Sequence, residues 1–151
     1  MSERVSINMI DGVADVRLNR PEKMNALDPG MFEGLVEAGK KLMEDRSLRA
    51  VVLSGEGRAF SAGLDFQRFR SMTDSETARP TASLFEKDPS WPGNYAQMPG
   101  YIWTMLPVPV IAAVHGVAFG GGLQIAMGAD IRFVTPDAKL SIMEIKWGLV
   151  P

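Results

Sequence analysis

The chain has 151 residues, 46% of them hydrophobic and 23% charged, with a formal net charge of −2, as is typical of one ordinary globular domain. Its 16 basic and 18 acidic residues form no basic run, so neither nucleic acid nor a membrane is expected as a partner. Cysteine is absent and the N-terminal MSERVSINMI lacks the apolar core of a signal peptide, which favours a cytoplasmic location. A single histidine, His115, argues against a metal site built from several histidines.

The N-terminal third predicts a hairpin followed by a helix and a buried strand. Apolar residues alternate with polar ones on both sides of Asp11-Gly12, which is a strong hairpin signal. Asp28-Pro29 then offers an N-cap followed by proline at the first helical position. The predicted elements are strands near 5–9 and 13–18, a helix from Pro29 to about Asp45 and a strand at 50–53.

The middle of the chain predicts less regular structure. After Ala62-Gly63-Leu64, Asp65 is predicted to cap a short helix, a structural rather than a catalytic role. From Met72 to about Gly100 the chain is rich in proline, serine, threonine and charge, and is long for a structureless connection. Such segments are usually lids or substrate-facing loops, with disorder as the competing interpretation.

The stretch PVPVIAAVHGVAFGGGLQIAM predicts the centre of the fold. Its apolar run Val110–Val114 has strand length and is typical of a strand covered on both faces. Gly120, Gly121 and Gly122 then open a helix, whose first N–H groups have no partners within the helix and suit a developing anion. The structural alternative is that the glycines only let the helix cross closely over a strand.

The last part of the chain predicts two more extended segments. Residues 129–134 are predicted as a strand and Thr135-Pro136-Asp137 as a turn. An extended segment at 139–145 follows and carries Glu144, for which a solvated carboxylate at the end of a strand is the structural alternative to a catalytic acid.

Four separated motifs together resemble the crotonase (enoyl-CoA hydratase/isomerase) superfamily: NRPEKMNAL, AFSAGLD, PVIAAVHGVAFGGG and DIRFVTPDAKLSIMEIKWGLVP. The resemblance covers the whole chain and implies an α/β fold, a spiral of repeated ββα units, as one core domain at 1–151. It also implies acyl-CoA thioester substrates and a homo-oligomer, a trimer or hexamer. No cofactor is expected beyond the coenzyme A of the substrate.

The resemblance also implies the roles of particular residues. The backbone N–H groups of Leu64 and Gly121 would form an oxyanion hole for the thioester oxygen. The residues expected to bind the substrate are Lys23, Met24, Ala26, Ala62 and Gly63. Family members continue for roughly another hundred residues of mostly helical structure beyond the position of Pro151, so that C-terminal region is expected to be absent from this chain.

The expected reaction depends on two positions. Hydratases of the family carry two glutamates, whereas this chain has Gln124 at the first position and Glu144 at the second. An amide cannot exchange a proton near neutral pH, which leaves Glu144 as the single matched acid/base. Double-bond isomerisation of an enoyl-CoA is therefore favoured. The alternatives are enoyl-CoA hydration, other enolate reactions such as thioester hydrolysis, decarboxylation or dehalogenation, and a non-catalytic acyl-CoA-binding role.

Overall fold

The computed structural model describes residues 4–65, 91–148 and 150. Its strands are β1 (Val5–Ile10), β2 (Val13–Leu18), β3 (Ala50–Gly55), β4 (Val110–Val114), β5 (Val117–Phe119), β6 (Ile131–Val134) and β7 (Lys139–Ser141). Its helices are α1 (Pro29–Glu44), α2 (Met98–Tyr101) and α3 (Gly121–Met127), with 3₁₀ turns at Pro21–Lys23, Ile102–Met105 and Met143–Trp147. Within the described ranges no helix has the length and apolar character needed to cross a membrane.

A five-stranded sheet in the order β1-β2-β3-β4-β6 forms the main layer. β1 and β2 pair antiparallel through the predicted hairpin, in which Asp11 and Gly12 both have positive φ, as a tight turn of this kind requires. β2, β3, β4 and β6 pair in parallel. Val16, Leu53 and Ala112 are register partners on one face of the sheet and are fully buried, whereas the alternate residues of β3 and β4 are half-buried.

Helix α1 covers one face of this sheet and begins where the sequence predicted. The Asp28 side chain accepts a hydrogen bond of 2.9 Å from the Met31 N–H, which satisfies one free donor of the first turn. The buried residues of α1 recur at three- and four-residue spacing: Met31, Leu35, Ala38, Gly39 and Leu42. A Cβ atom at Gly39 would lie 2.2 Å from Ile102 Cγ1, so glycine lets the turn at 102–105 pack directly on α1.

A second, smaller sheet shows the repeat of the fold. β5 pairs in parallel with β7, and Ser61 forms a parallel bridge with Ala118 of β5. The segments β3 to Ser61, β4 to β5 and β6 to β7 therefore each pass from the main sheet to the small one. The order Ser61, β5, β7 follows the order β3, β4, β6, as in a spiral of repeated units.

Two predictions of secondary structure are wrong in detail. Residues 98–100, predicted at the end of a long loop, belong to α2. The extended segment predicted at 139–145 ends at Ser141, and Glu144 lies in a 3₁₀ turn. The predicted short helix after Asp65 and residues 72–90 of the predicted loop lie outside the described residues.

Candidate active site

The loop between β2 and α1 carries three of the predicted substrate-binding residues. The side chain of the fully buried Asn25 accepts a hydrogen bond from the Arg20 N–H and donates to the carbonyl oxygens of Glu56 and Ala59, at 2.8, 2.9 and 2.8 Å. Met24 and Asn25 have positive φ values of 49° and 53°. These bonds hold the loop in one shape. Its predicted residues differ in exposure: Lys23 is exposed, Met24 is half-buried and Ala26 is buried.

The segment 61–65 lies against this loop. The Ala62 N–H donates to Met24 O at 2.8 Å, and Ser61 Oγ donates to Asn25 O at 2.8 Å. The structure thus brings together Met24, Ala26, Ala62 and Gly63. Lys23 is in the same loop, at the end of the Pro21–Lys23 turn.

Leu64 sits in a single parallel bridge with Leu27. The Leu27 N–H donates to Gly63 O at 2.7 Å, and the Asp65 N–H donates to Leu27 O at 3.1 Å. In this pairing the neighbours of Leu64 make both bonds, so its own N–H points away from Leu27. That N–H has no acceptor within the described part of the chain.

The second predicted donor, Gly121, lies beside the first. A Cβ atom at Gly63 would lie 3.7 Å from Gly121 N and only 2.4 Å from Phe119 O. A Cβ atom at Gly121 would lie 2.7 Å from Cδ1 of the buried Leu27. The Gly121 N–H also lacks an acceptor among the described residues, since it begins α3. Two free backbone donors therefore lie close together, where an acceptor oxygen can be bound.

The Glu144 side chain lies beside the start of α3. It belongs to a 3₁₀ turn rather than to the predicted extended segment. The turn spans Met143–Trp147 and ends at Gly148, whose φ of +68° reverses the chain. A Cβ atom at Gly120 would lie 3.4 Å from Glu144 Oε1 and 3.6 Å from Glu144 Cδ. Glu144 Oε2 is buried and has no hydrogen-bond partner among the described residues. Such a buried oxygen needs an explanation, and a bound group that carries a proton supplies one.

Gln124 lies in the first turn of α3, where its N–H donates to Gly120 O at 3.0 Å. The residue is half-buried, and its side chain makes no hydrogen bond to any residue that the structure describes. The structure thus places Gly63 beside Gly121, and Glu144 beside Gly120. Gln124 is linked to Gly121 through the backbone of α3.

Two residues of the site were missed by the sequence reasoning. Leu27 makes the bridge to Leu64 and packs on Gly121, and Asn25 fixes the loop from within. Both lie in the NRPEKMNAL motif, which was the only signal in the sequence that pointed to them.

Successive segments of the chain pass from the main sheet to the small sheet in a spiral. Backbone N–H groups with no acceptor among the described residues lie near a carboxylate. This arrangement is that of the crotonase fold. Solved structures agree. A putative enoyl-CoA hydratase from Streptomyces coelicolor matches with a TM-score of 0.82 and 32% identity over 97% of this chain and 50% of that one. A putative enoyl-CoA hydratase from Thermobifida fusca, in complex with acetoacetyl-CoA, matches with a TM-score of 0.80 and 30% identity over 99% of this chain and 57% of that one.

The chain belongs to the enoyl-CoA hydratase/isomerase family, whose model matches residues 8–151. It is 36% identical over 137 residues to the mitochondrial Delta(3,5)-Delta(2,4)-dienoyl-CoA isomerase of Mus musculus, covering 91% of this chain and 42% of the relative. It is 33% identical over 151 residues to a probable enoyl-CoA hydratase of Bacillus subtilis, covering 97% of this chain and 52% of the relative. The chain therefore spans about half the length of the curated relatives it matches.

Proposed function

We propose that this site isomerises enoyl-CoA thioesters by moving one proton from C2 to C4 of the acyl chain. The observation that carries the proposal is the Glu144 carboxyl group, packed on Gly120 with a buried oxygen that has no partner among the described residues. Gly120 directly precedes Gly121, whose N–H has no acceptor among the described residues.

The proposed reaction begins with a 3-enoyl-CoA whose thioester oxygen accepts hydrogen bonds from the N–H groups of Leu64 and Gly121. Glu144 removes a proton from C2, and the charge that develops on the thioester oxygen is stabilised by those two donors. The same carboxyl group returns the proton to C4, which yields the 2-enoyl-CoA with no net change in atoms or electrons. Losing one donor of such a pair typically costs ~10²–10³ in rate. The reaction as proposed needs no cofactor beyond the coenzyme A of the substrate.

Gln124 supports isomerisation over hydration. Hydration adds a hydroxyl group and a proton, for which a second acid would be useful, and a glutamine amide cannot supply that proton. The dienoyl-CoA isomerase among the relatives, by its name, also moves double bonds. Hydration is the second candidate, because several relatives are described as probable enoyl-CoA hydratases.

The test compares three rates on the purified protein: isomerisation of a 3-enoyl-CoA, hydration of a 2-enoyl-CoA and exchange of the C2 proton of a saturated acyl-CoA in deuterated water. We expect isomerisation to exceed hydration. Glu144→Gln should lower turnover by ~10²–10⁴ while binding of the saturated acyl-CoA, measured by calorimetry, changes little. Glu37→Gln, at an exposed position of α1, is the matched control.

Three results of this test would contradict the proposal, each in a different way. A wild type that hydrates faster than it isomerises would make the proposed reaction wrong. Equal losses of binding and turnover in Glu144→Gln would give Glu144 a structural role. Binding of acyl-CoA without any proton exchange would identify a non-catalytic binding protein.

The assembly and location of the whole protein are part of the same proposal. A trimer or hexamer is expected from the family resemblance, and a cytoplasmic location from the absence of cysteine. Light scattering of the purified protein measures the first, and fractionation of the source cells measures the second. A monomer, or a protein found in another compartment, would contradict them.

A further inference from the structure

A partly buried ion pair joins the two loops of the candidate site. Arg20 Nη1 donates to Asp65 Oδ2 at 2.7 Å and to Ala26 O at 3.1 Å. Both charged side chains are only 11% exposed. The guanidinium group therefore ties the loop that precedes α1 to the segment 61–65 from the side of Asp65.

Two bonds to Leu27 hold the backbone on either side of Leu64. The Leu64 N–H belongs to the Gly63–Leu64 peptide, whose carbonyl oxygen accepts the first bond, from the Leu27 N–H. The Asp65 N–H makes the second bond, to Leu27 O, so a displacement of Asp65 would release one of the two bonds that keep Leu64 against Leu27. The ion pair restrains the side chain of the same residue whose N–H completes the bridge.

We propose that Arg20 is a positioning residue, which holds the Leu64 N–H in place through its ion pair with Asp65. The inference rests on the proposed function, in which that N–H binds the thioester oxygen. The two residues lie 45 positions apart in sequence, and their pair holds the Asp65 end of segment 61–65, whereas the bonds of Ala62 and Ser61 to the loop hold its other end. Arg20 touches no reacting atom in this role.

The other carboxylates near Arg20 allow its pair with Asp65 to be removed without leaving the guanidinium group unpaired. Asp28 Oδ2 lies 3.5 Å from Arg20 Nη1, and Glu22 Oε1 lies 3.9 Å from Arg20 Nε. In Asp65→Asn the guanidinium group keeps a carboxylate partner, so the variant should fold. Removing Arg20 would instead leave Asp65 and Asp28 with less compensation, and is the poorer test.

A matched control exists on β2. Asp15 contacts Arg17 at 2.6 Å, and Arg17 also keeps Glu56 at 2.8 Å, so Asp15→Asn breaks a similar pair away from the site and leaves the arginine a partner. Arg20→Lys is a second test variant, because it keeps the charge but replaces the planar guanidinium group, whose Nη1 donates to both Asp65 and Ala26 O, with an ammonium group on a flexible stem.

The experiment combines three readouts on wild type and these variants. They are the hydrogen exchange rates, without ligand, of the Leu27 and Asp65 amides, which donate the two bonds of the bridge, the red shift of a bound coenzyme A thioester with a conjugated aromatic chromophore, and kcat and KM for a 3-enoyl-CoA. In Asp65→Asn we expect faster exchange of these two amides, a smaller red shift, and a kcat lower by ~10–10² with KM within about threefold, since a donor displaced by about 1 Å can cost ~10² in rate. Arg20→Lys should fall between Asp65→Asn and wild type, and Asp15→Asn should match wild type.

Two results would overturn the inference. One is a pair of Leu27 and Asp65 exchange rates and a red shift in Asp65→Asn equal to those of wild type. The other is a loss of kcat that Asp15→Asn shares, which would indicate general destabilisation. An inactive wild type would refute the proposed function instead, and the two exchange rates, measured without substrate, would still decide whether the ion pair holds the bridge that positions Leu64.

Discussion

Gly63→Ala is the sharpest test of the geometry at the candidate site. Gly63 has φ of +83°, a conformation in which a Cβ atom is strained, and that Cβ would lie 2.4 Å from the backbone oxygen of Phe119. Ordinary contact begins near 3.4 Å, so the two backbones would have to separate by about 1 Å. Phe119 cannot rotate its carbonyl oxygen away as a flexible side chain would, because its backbone is paired with Ser61 and β7.

The expected loss of stability has two parts. The left-handed conformation costs an alanine roughly 1–2 kcal/mol. Forcing an extra carbon into a packed contact adds typically ~1–3 kcal/mol. Gly148→Ala separates these parts, because Gly148 also has a positive φ, +68°, while its Cβ would meet no described heavy atom within 4 Å. Gly148→Ala should therefore show only the first loss.

Urea unfolding of wild type and both variants measures this difference in the free energy of unfolding. Turnover of a 3-enoyl-CoA by Gly63→Ala should also fall by ~10², because a shift of about 1 Å carries the neighbouring Leu64 N–H away from the thioester oxygen. If Gly63→Ala matched Gly148→Ala in both stability and turnover, then the close approach of Gly63 to Phe119 would not constrain the site, and the reasoning would be refuted.

Two further predictions concern acids. Gln124→Glu should raise hydration of a 2-enoyl-CoA relative to isomerisation, by a modest factor, because two carboxylates near one site oppose each other's ionisation; an unchanged ratio of the two rates would exclude Gln124 as the determinant. Hydrogen bonds from the Ser47 hydroxyl and N–H lower the pKa of Asp45 below its ordinary value. A lowered folded-state pKa adds stability above the ordinary pKa and loses it as the pH falls through the folded value. Ser47→Ala should therefore be less stable than wild type at pH 7, and this difference should shrink below about pH 4; a difference independent of pH would contradict the assignment.

The parts of the fold that the sequence predicted well are those determined by neighbouring residues. Asp11-Gly12 specifies a turn through its own backbone preferences, and Asp28-Pro29 specifies a helix start through one side-chain bond and one fixed φ. Both are confirmed, as is the strand at Val110–Val114, whose residues are buried on one face and half-buried on the other. In each case the physical cause lies within a few residues of the structure it produces.

The parts that were missed depend on partners far away in the chain. β5 has three residues, too few for a periodic pattern, and exists because Ser61 and β7 pair with it on either side. The sequence also did not predict that the Asp65 carboxylate meets Arg20, 45 positions away. One sequence cannot choose among its many oppositely charged pairs, since charge alone does not specify which of them meet.

Because the proposed anion-binding groups are backbone N–H groups, the structure indicates which substitutions the site should resist. Leu64 is 42% exposed and its side chain has no part in the proposed chemistry, so many residue types are compatible with that position. At Gly63 the opposite holds, because any side chain would lie 2.4 Å from the backbone oxygen of Phe119, whereas at Gly121 a Cβ would meet the end of the Leu27 side chain at 2.7 Å, which can shift at lower cost. The choice of residue type is therefore restricted at the positions that pack around the two N–H donors. The donors themselves belong to the backbone.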